Sequence, residues 1–144
     1  MPRLTYLLLA FCLAGASALT AQTLVVHVEG IRNGDGSIHC GFYDSPAQWD
    51  TKKSNFQRHG TKAGLRGGRV TFTFDDIPAG RWAMAIVDDE NDSGGIDWGI
   101  LLPKEGFGFS DYVSRGLSRP DWEDFDFELR EGQVTEVRVR VRYL

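Results

Sequence analysis

The chain has 144 residues, 42% of them hydrophobic and 25% charged, with 17 Gly and 5 Pro, which is globular composition and excludes a disordered or fibrous protein. Its length suits one domain. A formal charge of −4 excludes a general nucleic-acid binder, which must neutralise phosphates.

The N-terminus reads as an address. Met1-Pro2-Arg3 supplies a positive start, Leu7 to Ala14 is an almost unbroken apolar run, and Ala16-Ser17-Ala18 has the small-x-small pattern of a cleavage site. The run is shorter than the roughly 20 residues that span a bilayer, so residues 1–21 are expected to be a removed secretory signal peptide, cleaved after Ala18 or Ala21. A lipoprotein anchor at Cys12 does not fit, because bulky Phe11 precedes it inside the apolar run. The mature domain, 22–144, is then expected to be exported to the periplasm or beyond, with no membrane span. Loss of Arg3 leaves it at −5, with Cys40 as its single thiol. Cys40 alternates with Ile38 and Phe42 and reads as a small buried hydrophobe.

From Thr23 onward the hydrophobic period is two. Leu24, Val26 and Val28 share one face of a first strand, and Ile31 falls out of phase, predicting a bulge near Glu29-Gly30. Asn33-Gly34-Asp35-Gly36 predicts a hairpin turn into a second strand, Ser37 to Tyr43, that buries Ile38, Cys40 and Phe42. Ser45-Pro46-Ala47-Gln48 predicts a short capped helix. Val70, Phe72 and Phe74 make the next strand. Trp82, Met84 and Ile86 lie on one face of another, with Ala83, Ala85 and Val87 on the opposite face, the mark of a central strand. Phe125, Phe127 and Leu129 alternate with charges, as do Val137, Val139 and Val141 with Arg138, Arg140 and Arg142. Short alternating strands punctuated by Gly, Pro and Asn predict an all-β fold: a single antiparallel β-sandwich of immunoglobulin-like build, with one short helix after its second strand. The last strand should sit in a sheet against the Val70/Phe72/Phe74 and Trp82/Met84/Ile86 faces, with its arginines in water or against acidic neighbours.

The segments resemble, in order and spacing, the exported bacterial family known as domain of unknown function 2141. The stretches that carry the resemblance are Val28-Glu29-Gly30-Ile31-Arg32-Asn33 with Gly36, Gly41-Phe42-Tyr43-Asp44-Ser45, and Phe74-Asp75-Asp76-Ile77-Pro78-Ala79-Gly80. They continue with Ala85-Ile86-Val87-Asp88-Asp89-Glu90-Asn91, Pro103-Lys104-Glu105-Gly106-Phe107-Gly108-Phe109-Ser110 and Phe125-Asp126-Phe127-Glu128-Leu129. Asp88 stands where the pattern is expected to hold His. The resemblance implies an exported β-sandwich similar to prealbumin-like modules, with no established activity.

The segment 88–98 is the chemical feature that stands out. Asp89, Asn91, Ser93 and Asp97 fall at positions 1, 3, 5 and 9 of a calcium loop, with Gly94 at 6 for the turn and Ile96 at 8 as an apolar anchor. Ser93 in place of a carboxylate and Ile100 at position 12 leave the set short of the bidentate Glu of an EF-hand, so a solvated acidic turn is the competing reading. His27 and His39 are expected on neighbouring strands of one outer face, half of a metal site without a third ligand, and therefore read as surface histidines. No G-x-S-x-G, H-E-x-x-H or C-x-x-C occurs. The aromatic loop 98–112, with Phe107, Phe109 and Tyr112, is expected to cover the core in preference to presenting a ligand surface.

These features point to an exported, non-enzymatic binding or accessory module of unidentified envelope ligand, with calcium held by the 88–97 loop as its candidate cofactor. The alternatives are a small envelope hydrolase using two of Asp121, Glu123, Asp124, Asp126 and Glu128, which would need converging carboxylates, or a structural envelope component.

Overall fold

A computed structural model describes residues 21–94, 105–116 and 118–144. The signal segment, Asp97 and the 98–103 part of the aromatic loop lie outside the described residues. Among the described residues, eight strands and two short helices follow one another as β1 (Thr23–Glu29), β2 (Ser37–Tyr43), α1 (Pro46–Asp50), β3 (Phe56–Gly60), β4 (Arg69–Phe74), β5 (Gly80–Asp89), β6 (Gly106–Phe109), α2 (Trp122–Phe125), β7 (Asp126–Leu129) and β8 (Val134–Arg140). They form two sheets: β4-β1-β8, and β3-β2-β5-β6 with β7 also paired to β5. The β-sandwich stands. No described helix is long and apolar enough to cross a membrane.

The alternation places the core where the sequence puts it. Leu24, Val26, Val28, Val70, Phe72 and Phe74 from the first sheet meet Ile38, Cys40, Phe42, Trp82, Met84 and Ile86 from the second, and Val137, Val139 and Val141 complete the cluster. Arg138 and Arg140 are exposed and Arg142 is half-buried. A one-residue slip of β8 would carry guanidinium groups inward at several kcal/mol each, so its register follows from chemistry.

β5 is buried on both faces, as a central strand should be. Ala83 and Ala85 turn away from the main core into a second one with Tyr43, Trp49, Phe107, Phe109, Trp122 and Phe125. Phe107 and Phe109 therefore cover the sheet. α1 starts as expected, the Ser45 hydroxyl accepting from Gln48 N at 3.2 Å with Pro46 in the first turn. It delivers Trp49 to the second core, where its indole N–H donates to Pro120 O at 2.8 Å.

Five details differ from expectation. First, β1 and β8 run parallel, with Val26 opposite Val137 and Val28 opposite Val139. An apolar alternation reads the same in either direction, and the whole intervening chain serves as the crossover a parallel pair requires. Second, Asn33–Gly36 is not a hairpin turn, because β1 pairs with β4 and β8 while β2 pairs with β3 and β5. It is an Asx-type turn, Asp35 N donating to Asn33 Oδ1 at 3.0 Å, that carries the chain between sheets. Gly36 is obligatory there: its φ is +66°, and a Cβ would stand 1.9 Å from Asp89 O. Third, the phase break at Gly30 ends β1 where a bulge was expected, and Ile31 N then donates to Gly68 O at 3.0 Å. Fourth, β3 and β6 are strands without an alternating signal. Fifth, Phe125 does not share a face with Phe127 and Leu129. A capping box between Asp121 and Asp124 winds one helical turn, and Trp122 and Phe125, three residues apart, both enter the second core.

A candidate metal centre at the end of the five-stranded sheet

Successive side chains on a strand point to opposite faces, so the pair Asp88-Asp89 at the end of β5 serves two environments. Both carboxylates are fully buried. Asp88 faces the sandwich interior. Its Oδ1 lies 2.5 Å from Lys62 Nζ, and its Oδ2 accepts from the Tyr143 hydroxyl at 2.5 Å. Burial, and then Asp88 itself, push the Tyr143 hydroxyl pKa up. Arg32 stacks on the Tyr143 ring at 4.3 Å and holds Glu90 through two bonds of 2.5 and 2.7 Å, with Asn33 donating a third at 3.0 Å. The Arg32 guanidinium is the main reason the Glu90 carboxyl sits below its ordinary range. This half of the site is a charge-matched lock that ties the chain's C-terminus to β5.

Asp89 faces the outside of the same sheet, and the β2–β5 register sets it opposite Ser37, two pairs away from His39 and on the same face. His39 Nε2 stands 3.2 Å from Asp89 Oδ2 and 3.1 Å from Ser37 Oγ. The Ser37 hydroxyl donates its one proton to Asp92 Oδ1 at 2.9 Å, so Nε2 carries the imidazole proton toward Ser37 and Asp89. His39 is 2% exposed, and its Nδ1 meets no hydrogen-bond partner among the described residues. His59, opposite on β3, stacks against it with ring centroids 4.2 Å apart. Burial and then the His59 ring lower the His39 pKa against the pull of Asp89, which makes the neutral imidazole the resting form. Burial opposes ionisation of Asp89, yet the backbone N–H groups of Gly94 and Ser93, and then His39, hold its carboxyl below the usual range. One ligand atom each from His39, Asp89 and Asp92 lies within 4.8 Å of the others. Glu105, half-buried beside them, has its pKa raised by burial and by the charges of Asp89 and Asp88.

Two members of the expected calcium loop, Asp89 and Asn91, accept backbone hydrogen bonds within it. Asp89 Oδ1 accepts from Ser93 N at 2.9 Å and Oδ2 from Gly94 N at 2.9 Å, Asn91 Oδ1 also accepts from Ser93 N at 3.1 Å, and Asp97 is outside the described residues. The described part of the loop is thus a turn whose acceptors already hold backbone donors, with Asp89 shared between that turn and His39. The pairing of His27 with His39 is overturned: His27 is on β1 in the three-stranded sheet, and His39 is buried on β2 in the other. The true neighbours of His39, namely His59 and Asp89, come from strands distant in sequence, and only the register reveals them.

Four of the five carboxylates of 121–128 have separate partners. Asp121 and Asp124 close the α2 capping box, Asp126 binds Arg81, and Glu128 binds Arg130 at 3.0 Å. Asp121, Glu123, Asp124 and Glu128 are exposed, and the Arg130 bond holds the Glu128 carboxyl below its ordinary range, whereas a general acid needs a raised pKa. Cys40 is fully buried and burial pushes its thiol far up, which leaves it inert.

No curated protein and no solved structure matches the chain. The family model described as an uncharacterized protein conserved in bacteria (DUF2141) matches residues 26–138, which reach into both sheets and include every residue of the His39 cluster. The chain belongs to the DUF2141 family.

Proposed function

We propose that this chain is an exported, non-catalytic binding module that holds one divalent cation of the zinc type through His39, Asp89 and Asp92. The observation that carries the reading is the 3.2 Å between His39 Nε2 and Asp89 Oδ2. Two ligands at 2.0–2.1 Å from a tetrahedral ion stand about 3.3 Å apart, so the pair is spaced to share one once the imidazole proton passes from Nε2 to Nδ1. Asp92, exposed and adjacent, supplies the third ligand, and a fourth position stays open to water or a partner. A nitrogen in the donor set favours zinc or a similar first-row ion over calcium, which takes six to eight oxygens. The apolar run and small-x-small site of residues 1–21 support export.

Metal-stripped protein, melted with and without zinc, manganese and calcium, tests this. Zinc at a hundredfold excess over its Kd stabilises by about 2.7 kcal/mol, a rise of about 10 °C for a domain of this size. Asp92→Asn, on an exposed position that leaves the fold intact, and His39→Gln should each remove the rise. A rise with calcium alone would assign the ion to the Asp89, Asn91, Ser93 and Asp97 loop, and no rise with any ion would refute the reading.

A further inference from the structure

The outer face of the three-stranded sheet, the sheet that does not hold His39, is rich in charge. Across its strands, Glu29 stands between Arg69 and Arg140, and His27 between Thr71 and Arg138. The acids of this face are already engaged. Glu29 accepts from Arg140 Nε at 2.7 Å and has Arg69 at 4.0 Å, while Glu136 lies 3.5 Å from His27 Nε2. His27 Nδ1 meets the Thr71 hydroxyl at 3.0 Å. Arg138 is left over. Its backbone N–H donates to Asp111 Oδ1 at 2.8 Å, but its exposed guanidinium meets no acceptor among the described residues.

Arg138 also lines two adjoining shallow grooves of about 340 Å³ each. The first is polar, walled by His27, Glu29, Arg69 and Thr71. The second has Tyr112 and exposed Val113 on its wall, with Asp111 at its edge. We propose that this double groove binds a carboxylated saccharide, its carboxylate on the Arg138 fork and its ring against Tyr112 and Val113. A guanidinium matches a planar carboxylate through two parallel bonds. Thr71 and Glu29 supply a hydroxyl and an acceptor for sugar hydroxyls. Glu29 and Asp111 line the same grooves as Arg138 and disfavour a dianion, so a carboxylate is selected over a phosphate by charge.

Amide and arginine Nε–H NMR shifts during titration with glucuronate test the proposal, with glucose, inorganic phosphate and sodium chloride as separate arms. Glucuronate should move the signals of His27, Thr71, Tyr112 and Arg138, and Arg138→Gln should weaken binding at least tenfold. Arg81→Gln, which removes a guanidinium held by Asp126 on the other sheet, should leave it unchanged. Equal shifts with glucose or chloride, tighter binding of phosphate than of glucuronate, or retention of affinity in Arg138→Gln would each overturn it.

Discussion

Lys62→Met should destabilise the domain by about 3 kcal/mol, a value set by the state in which it leaves Asp88. That carboxylate is fully buried, the Lys62 side chain is 3% exposed, and Nζ and Oδ1 are 2.5 Å apart. Deleting one partner of such a pair strands a charge and costs roughly 3–5 kcal/mol, while replacing both with well-packed neutral groups is often nearly neutral. The lower end applies because Tyr143 still donates to Asp88 Oδ2 in the variant. Asp88→Asn should cost a similar amount, since the buried ammonium would lose the carboxylate it is paired with and keep only neutral acceptors in contact, the Asp35 carbonyl among them. The double variant should cost less than the sum of the singles by about 2 kcal/mol. Equilibrium urea unfolding at pH 7 measures all three. A loss below about 1 kcal/mol for Lys62→Met, or additive losses, would refute the claim that the two charges neutralise each other inside the sandwich.

Two further outcomes follow from the same physics. Val139→Asp, which puts a charge where exposure is zero, should unfold the domain, whereas Arg140→Ser should change stability by about 0.5 kcal/mol, both read by circular dichroism and urea melts. Stability should also fall on acidification from pH 7 to 5.5. The folded His39 pKa lies below the unfolded value, so the unfolded chain binds protons first, and the contribution of His39 is full above pH ~6.5 and lost below it. The depressed Asp89 and Glu90 add to the loss at lower pH, whereas Glu105, raised, acts in the opposite sense. His39→Gln should flatten the profile between pH 7 and 5.5, and an unaltered slope would exclude His39 as its source.

How far the fold was legible depends on how each strand is buried. β1, β4 and β8 alternate because one face is wet, and β5 is apolar on both faces from Trp82 to Val87 because both are covered, so each shows its period. β3 is an edge strand with a single aromatic, Phe56, and ends on Gly60, whose missing side chain makes room for the Phe72 ring. In β6, Gly108 stands where a Cβ would be 2.6 Å from Val139 Cγ1, so the glycines that look like loop are there to let β8 approach. The one-turn α2 is hidden because a capping-box aspartate and a strand-flanking aspartate are the same letter. The site was half legible. Asp89 stood out by its loop spacing, but a local pattern cannot supply His39, 50 residues earlier, or the rule that Asp88 turns inward while its neighbour turns out. Both follow from register, and the Asn33–Gly36 turn, taken as a hairpin, would have put β1 beside β2 and paired His39 with the wrong histidine.

The most direct measurement of the central claim is the imidazole ¹⁵N spectrum of the metal-stripped protein titrated with zinc. Its Nε2 resonance for His39 should shift and saturate at one equivalent, with His27 unmoved, and neither change should occur in Asp89→Asn. Zinc that leaves His39 Nε2 where it began, or moves His27 first, would contradict the assignment of a metal centre to His39, Asp89 and Asp92.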